Sequence, residues 1–122
     1  MMDCGIDGTT EPVICAVNTA DRRVHFDLLI PETLSFFRGH FPGFPVLPGV
    51  VQVHWATGYG RRYFGVGQVT SLQVKFRSII VPGERIRLTL AHRPESSRFD
   101  FEYSESENVR SSGTITFECY DL

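Results

Sequence analysis

The sequence predicts a single α+β domain in which a curved antiparallel sheet wraps around one long central helix. One helix-length apolar run stands in the middle of the chain, and alternating, strand-like segments stand on both sides of it. The 122 residues, 42% of them hydrophobic, are enough for one modest core. We therefore expect one domain over residues 1–122, with residues 1–11 as a loose N-terminal arm.

Two β-rich runs begin the domain. They span residues 13–20 and 24–30 and are separated by "DRR", a pattern typical of a β-hairpin. Pro31 can then start a short helix, because proline is tolerated in a first turn where its missing N–H is not needed. That helix must end before Gly39 and the Pro/Gly-rich loop that follows it.

The segment "VVQVHWATGYGRRYFG", which follows Pro48 and Gly49, predicts the central helix. Its apolar and aromatic residues cover most of a helix surface, which favours a buried helix over an amphipathic one. The β-branched start at Val50, Val51 and Val53 would also suit a strand. Length favours the helix, because about 15 residues is long for a strand and ordinary for a helix.

Four segments with period-2 alternation close the chain, and short polar connections join most of them. The first two are separated by "VPGE", which predicts a turn, and we expect the four strands to pair antiparallel. Their same-face apolar positions are Leu72, Val74 and Phe76; Ile86, Leu88 and Leu90; Phe99, Phe101 and Tyr103; Ile115, Phe117 and Cys119. A hairpin, one buried helix and four strands in this order predict the hotdog fold.

Charge and cysteine usage exclude several classes of function. The formal net charge is −2, and no basic tail or stripe is present of the kind that a nucleic-acid binder needs. Three unpaired cysteines and four histidines without HxH or HxxxH spacing argue against a disulfide framework or zinc site. No signal peptide is evident, and no apolar run approaches the ~20 residues that span a bilayer. We expect a cytoplasmic protein that needs no metal or other cofactor.

The loop before the helix carries a recognisable motif. "GHFPGFPVLPG", residues 39–49, resembles the signature G-H-F-P-x-x-P-V-M-P-G of the bacterial 3-hydroxyacyl-(acyl carrier protein) dehydratases, with Leu47 in place of the usual methionine. A second segment, "VKFRSIIVPGERI" at residues 74–86, resembles that family's K-F-x-x-x-V-x-P-G-D strand and turn. The resemblance covers the middle of the chain and implies the hotdog fold and a dehydratase activity.

Dehydration of a 3-hydroxyacyl thioester needs a base, stabilisation of an enolate-like oxygen and a proton donor for the leaving hydroxide. The resemblance implies that His40 is the base, that the carbonyl of Val46 orients its imidazole and that the Gly49 N–H binds the oxygen. Gly49 suits this role physically, since N–H groups at a helix start are unpaired and glycine permits close approach. The non-catalytic alternative for His40 is a loop histidine that only caps a turn or faces solvent.

His54 departs from the family pattern, which has Glu or Asp five residues after the glycine, supplied by the other subunit of a dimer. Three interpretations stay open. The imidazole replaces the acid as proton donor, or it only orients water or substrate, or the protein is inactive and binds acyl chains. The stretch containing Gln52, His54 and Trp55 resembles a divergent dehydratase branch linked to aryl-polyene pigment synthesis, which favours activity.

In such a branch the substrate would carry an aryl or polyene end. Candidate substrate-contacting residues are Phe44, Pro48, Val50 and Trp55, and Phe36, Phe37 and Tyr59 are further candidates for lining the acyl tunnel. For most of the aromatic residues, plain core packing is the preferred interpretation.

The resemblance also implies partners. An acyl carrier protein would deliver the thioester, and its acidic surface would meet some of Arg38, Arg61, Arg62, Lys75 and Arg77. These arginines could equally serve as ordinary surface charges. A homodimer with a shared active site is expected, with or without further assembly. The alternative functions are a hotdog acyl thioesterase and a non-catalytic acyl-binding subunit.

Overall fold

The computed structural model describes residues 10–32 and 46–118. In chain order its elements are β1 Val13–Ala20, β2 Arg23–Leu29, α1 Gly49–Phe64, β3 Val69–Phe76, β4 Arg85–Arg93, β5 Arg98–Glu105 and β6 Asn108–Phe117. One 3-10 turn, Pro94–Ser96, joins β4 to β5. The predicted α+β architecture, with one long helix packed against an antiparallel sheet, is confirmed. The short helix predicted to start at Pro31 and to end before Gly39 lies outside the described residues from residue 33 onward, as does most of the predicted N-terminal arm.

The six strands form one sheet in the order β1-β2-β4-β5-β6-β3, and all neighbours are antiparallel. Strand β3 therefore pairs with β6 at one edge of the sheet, while β4 lies beside β2 in its interior. Alternate residues of the inner strands pack into the core, as their period-2 pattern predicts. The fully buried side chains of the sheet include Phe26, Leu28, Leu88, Leu90, Phe99, Phe101, Tyr103 and Ile115.

Helix α1 begins after Pro48 and ends at Gly65. The φ of Gly65 is 65°, a left-handed conformation that glycine adopts without strain, and its N–H donates to the Arg61 carbonyl at 3.0 Å. The helix packs closely against the sheet at Gly60, where a Cβ would overlap the ring of Phe99. Its buried residues are Val51, Gln52, Trp55, Ala56, Tyr59 and Gly60.

The opposite face of α1 is open in the single chain. Val50 is 76% exposed, and His54, Gly58 and Arg61 on the same face are also exposed, so the expected burial around most of the helix surface is wrong for one chain alone. The edge strand β3 also has an exposed apolar face. Leu72 and Phe76 share this face and are 44% and 54% exposed. No helix among the described residues is both long and apolar enough to cross a membrane.

Candidate active site

Hydrogen bonds to backbone groups of Leu47 and Pro48 fix the segment that leads into α1. The N–H of Leu47 donates to the Ile80 carbonyl at 2.7 Å, and the Leu47 carbonyl accepts Nε2 of Gln52 at 3.3 Å. The Pro48 carbonyl accepts the N–H groups of Val51 and Gln52 at 3.1 and 3.2 Å, which starts the helix. Residues 46–48 therefore lie in a defined position between the helix and the segment before β4.

The first two N–H groups of the helix have no partner among the described residues. No side chain caps α1, and neither Gly49 nor Val50 donates a backbone hydrogen bond there. Unpaired N–H groups at a helix start carry partial positive charge and form an anion-binding position. The structure thus places the predicted oxyanion donor, Gly49, at a position with suitable electrostatics.

A side chain at position 49 would displace the ring of Phe76. A Cβ at this position would lie 2.5 Å from Cζ of Phe76, so the Phe76 ring covers the start of the helix. Phe76 was not among the predicted site residues, although it belongs to the "KF" pair of the segment at residues 74–86. The signal was present in that motif, whereas period-2 alternation predicted only that Phe76 shares a strand face with Leu72 and Val74.

His54 lies on the exposed face of α1, one turn after Val50. It stands in a shallow depression between the helix and the edge strand β3. The lining consists of Val50, Val53, His54, Thr57, Arg61, Val69 and Leu72. The imidazole therefore has mostly apolar neighbours and one cation, and no Asp or Glu belongs to this lining.

The remaining predicted site residues are distributed as follows. Val46 and Pro48 are half-buried in the segment before the helix. Trp55 is 3% exposed, and its indole N–H donates to the Thr10 carbonyl at 3.0 Å. His40 and Phe44, with Phe36, Phe37 and Arg38, lie outside the described residues, so their distances from Gly49 and His54 stay predictions.

The cationic residues predicted to meet a carrier protein are exposed where the structure describes them. Arg61 and Arg62 stand in the last turn of α1, where positive charge is favourable against the helix dipole. The guanidinium of Arg62 lies 5.8 Å from the ring centroid of Tyr59. Lys75 and Arg77 are exposed at the end of β3 and just after it.

The segment that receives Leu47 is itself fixed by an ion pair. Glu84 accepts hydrogen bonds from Arg110 and from the N–H of Val81. Burial alone would raise the pKa of Glu84, but these hydrogen bonds outweigh it and lower the pKa below its ordinary value. Among the residues that the structure describes, no cluster of His, Cys, Asp or Glu could hold a metal ion.

Comparison with solved structures first defines the fold class. Thioesterase superfamily member 2 from Mus musculus aligns with a TM-score of 0.66, covering 84% of this chain and 84% of its own, at 13% identity. At that identity the similarity establishes the hotdog fold alone.

The family follows from the sequence. Residues 16–114 match the model of the ApeI-like family, described as ApeI dehydratase, and the chain belongs to this family. Among solved structures, "The Dehydratase Heterocomplex ApeI:P from Xenorhabdus doucetiae" aligns with a TM-score of 0.83 at 28% identity, covering 90% of this chain and 99% of that one. An uncharacterized protein from Erwinia carotovora subsp. atroseptica aligns with a TM-score of 0.79 at 30% identity, covering 89% and 97%.

A curated relative matches part of the chain at a similar identity. The 3-hydroxyacyl-(acyl carrier protein) dehydratase FabZ of Streptococcus pyogenes serotype M1 is 28% identical over 99 residues, which cover 69% of each chain. The predicted membership in the dehydratase family, in its ApeI-like branch, is therefore confirmed.

Proposed function

We propose that this protein removes water from a 3-hydroxyacyl thioester carried on acyl carrier protein and releases the trans-2-enoyl thioester, in fatty-acid or aryl-polyene-type biosynthesis in the cytoplasm. The observation that carries the proposal is the pair of N–H groups at Gly49 and Val50 that have no partner among residues 10–32 and 46–118, with His54 one helical turn after Val50. A site for a thioester oxygen and an imidazole stand on the same helix, in a chain of a dehydratase family.

The proposed reaction uses each group once. The thioester oxygen accepts the N–H of Gly49, which stabilises the enolate-like charge that develops when His40 removes the proton from the carbon beside the carbonyl. The C–O bond of the neighbouring carbon then breaks as the double bond forms. The leaving hydroxide takes a proton from the imidazolium of His54 and departs as water. His40 has gained one proton and His54 has lost one, and exchange with solvent restores both.

A second chain completes the site in this proposal. His54 faces outward in the depression beside Val50 and Leu72, and β3 is an unpaired sheet edge. Exposed apolar surface beside a free strand edge favours association, and a twofold axis would place this patch against its own copy. The loop histidine of one chain would then face His54 of the other, as the resemblance implies. The structural relative from Xenorhabdus doucetiae is a heterocomplex, so a related second chain is the other possible occupant.

An acyl carrier protein would approach next to this patch. Arg61 belongs to the same depression as His54, and Lys75 and Arg77 are exposed at the end of the adjoining strand. Basic side chains near the site entrance would attract an acidic carrier and raise its association rate.

The thioesterase alternative has less support. The thioesterase relatives share the fold at 13% identity, and hydrolysis of a thioester requires a carboxylate or an activated water near the carbonyl. The described lining of the depression around His54 contributes no such carboxylate.

The test is to incubate the purified protein with 3-hydroxyacyl-acyl carrier protein, in separate reactions with alkyl and aryl chains, and to follow the carrier-bound product by mass spectrometry. Loss of one water from the thioester is expected, and His54→Glu, which restores the usual family acid, should keep part of the activity. Release of free acid would establish a thioesterase instead. An unchanged substrate with every chain would leave a non-catalytic acyl-binding subunit as the better description.

A further inference from the structure

A polar cluster lies inside the apolar core behind the start of α1. Gln52 is 3% exposed and Ser111 is 0% exposed. The Ser111 hydroxyl donates to Oε1 of Gln52 at 2.7 Å, and the Tyr103 hydroxyl donates to the Gln52 backbone carbonyl at 2.7 Å. The other end of the amide, Nε2, donates to the Leu47 carbonyl at 3.3 Å.

The orientation of the Gln52 amide follows from its partners. The Leu47 carbonyl can only accept, so the nitrogen must face it and the oxygen must face the Ser111 hydroxyl. An amide buried without partners would be strongly unfavourable, because it would lose its hydrogen bonds to water and gain none in the protein. An apolar side chain would pack equally well on this helix face. The presence of Gln52 therefore indicates a role other than packing.

We propose that Gln52 is a positioning residue, which fixes the direction of the Gly49 N–H by holding the Leu47–Pro48 peptide; this inference rests on the proposed function. Leu47 is bound at both polar groups, its N–H by Ile80 and its carbonyl by Gln52. The Leu47 N–H belongs to the Val46–Leu47 peptide and the Leu47 carbonyl to the Leu47–Pro48 peptide, so each of the two peptides beside the Leu47 Cα is held by one hydrogen bond.

Only the φ and ψ torsions of Pro48 separate the Leu47–Pro48 peptide plane from the Gly49 N–H. The Pro48 ring restricts its φ, which is −62°. The direction of the Gly49 N–H then depends on the Pro48 ψ of 145°, which the hydrogen bonds from Val51 and Gln52 to the Pro48 carbonyl restrain. Loss of the Gln52 side-chain bond would release the peptide plane from which this geometry is built.

The sheet provides the fixed reference. Ser111 lies on β6 and Tyr103 on β5, which are paired neighbours in the interior of the sheet. Gln52 thus links two inner strands to the segment that carries the oxyanion donor. The matching variant is Gln52→Met, which keeps the length and apolar volume of the side chain and removes the donor and acceptor.

The control is Tyr103→Phe. It removes a hydrogen bond to the same residue, at the Gln52 backbone carbonyl, and leaves the bond to Leu47 in place. We expect Gln52→Met to lower kcat about 10- to 100-fold with KM changed by less than about 2-fold, because misplaced catalytic groups reduce rate more than binding. Tyr103→Phe should keep kcat within about 3-fold, although both variants lose thermal stability.

A second measurement does not depend on activity. Amide hydrogen exchange, followed by NMR, should be faster in Gln52→Met than in wild type at Leu47 and Val51, whose N–H groups donate to the carbonyls of Ile80 and Pro48, and unchanged in Tyr103→Phe. If wild type dehydrates no substrate, the proposed function fails, and the exchange measurement still decides the positioning role. Unchanged exchange at Leu47 and Val51 in Gln52→Met, or an equal loss of kcat in both variants, would overturn the inference.

Discussion

The guanidinium of Arg110 binds both carboxylate oxygens of Glu84, at 2.7 and 3.0 Å. It also donates to the Ile79 carbonyl at 2.8 Å, while Glu84 accepts the Val81 N–H at the same distance. The segment between β3 and β4 is thereby fastened to β6. Because Leu47 donates to the carbonyl of Ile80, this ion pair also supports the segment that precedes Gly49.

Arg110→Met should destabilise the protein by about 2–3 kcal/mol, since hydrogen bonds to charged groups are strong and Glu84 would be left half-buried without its partner. The side chains of this pair are 15% and 21% exposed. The matched control is Arg87→Met, which breaks the pair with Asp27, whose side chains are 51% and 41% exposed. That variant should cost less than about 1 kcal/mol. Equal losses in urea unfolding would contradict a special role for Arg110.

Two buried tyrosines should respond in opposite ways to loss of their hydroxyl groups. The Tyr59 hydroxyl is buried and has no hydrogen-bond partner in the part of the chain that the structure describes, and burial, with a smaller effect from Glu11, raises its pKa to about 12. Tyr59→Phe should therefore be neutral or stabilise the protein by up to about 1 kcal/mol. Tyr103→Phe, which loses the bond to Gln52, should cost about 1–2 kcal/mol. Thermal unfolding of the pair checks this, and a larger loss for Tyr59→Phe would refute the assigned contacts.

His92 should make stability fall in mild acid. Its ring stacks on Phe64 at 4.5 Å between centroids, and burial, followed by the charge of Arg22, lowers its pKa below the ordinary value. The folded protein thus binds this proton more weakly than the unfolded chain does. The contribution of His92 is complete above the ordinary imidazole pKa, ~6.5, and is lost as pH falls through the lowered value. His92→Phe keeps the stacking and should flatten the decline of the unfolding free energy between about pH 7 and pH 5. An unchanged slope would exclude His92 as its source.

Much of the fold could be predicted from the sequence, because β4, β5 and β6 all show the period-2 alternation of apolar and polar residues that is typical of strands. The same alternation in β3 predicted that Leu72 and Phe76 share one face, yet β3 is an edge strand and both side chains are exposed in the single chain. Alternation identifies the faces of a strand and does not identify its neighbours. The helix was predicted correctly, but its pattern could not separate the face that meets the sheet from the face that is open.

Some features of the candidate site could be predicted from the sequence and others could not. Gly49 could be predicted, because the motif places it at a helix start. Its N–H has no hydrogen-bond partner among the described residues and is therefore available to a ligand. The partners of Gln52 could not be predicted, because Ser111 is 59 residues away and only strand pairing brings it close. The position of His40 relative to His54 depends on residues outside the described part and stays a prediction.

The open face beside β3 gives a direct test of association. Leu72→Asp should convert the assembly to monomers without unfolding it, because Leu72 is 44% exposed on an edge strand and a buried charge would oppose pairing of two copies. Val17→Asp is the control, since Val17 is 38% exposed on the opposite edge strand, β1. Sedimentation equilibrium should detect monomers only for Leu72→Asp. The same mass for wild type and both variants would place the interface elsewhere.

Mixing of two inactive variants tests the shared dehydratase site most directly. His40→Ala and His54→Ala are each expected to lose nearly all dehydration of 3-hydroxyacyl-acyl carrier protein. After dissociation and reassembly at equal concentrations, half of the dimers contain both variants, and each of these has one intact site. The mixture should therefore regain about a quarter of the wild-type rate of water loss. Mixing His40→Ala with the double variant should regain none. Most of the wild-type rate in His54→Ala alone, or no recovery in a mixture shown to have exchanged subunits, would contradict a site built from His40 of one chain and His54 of the other.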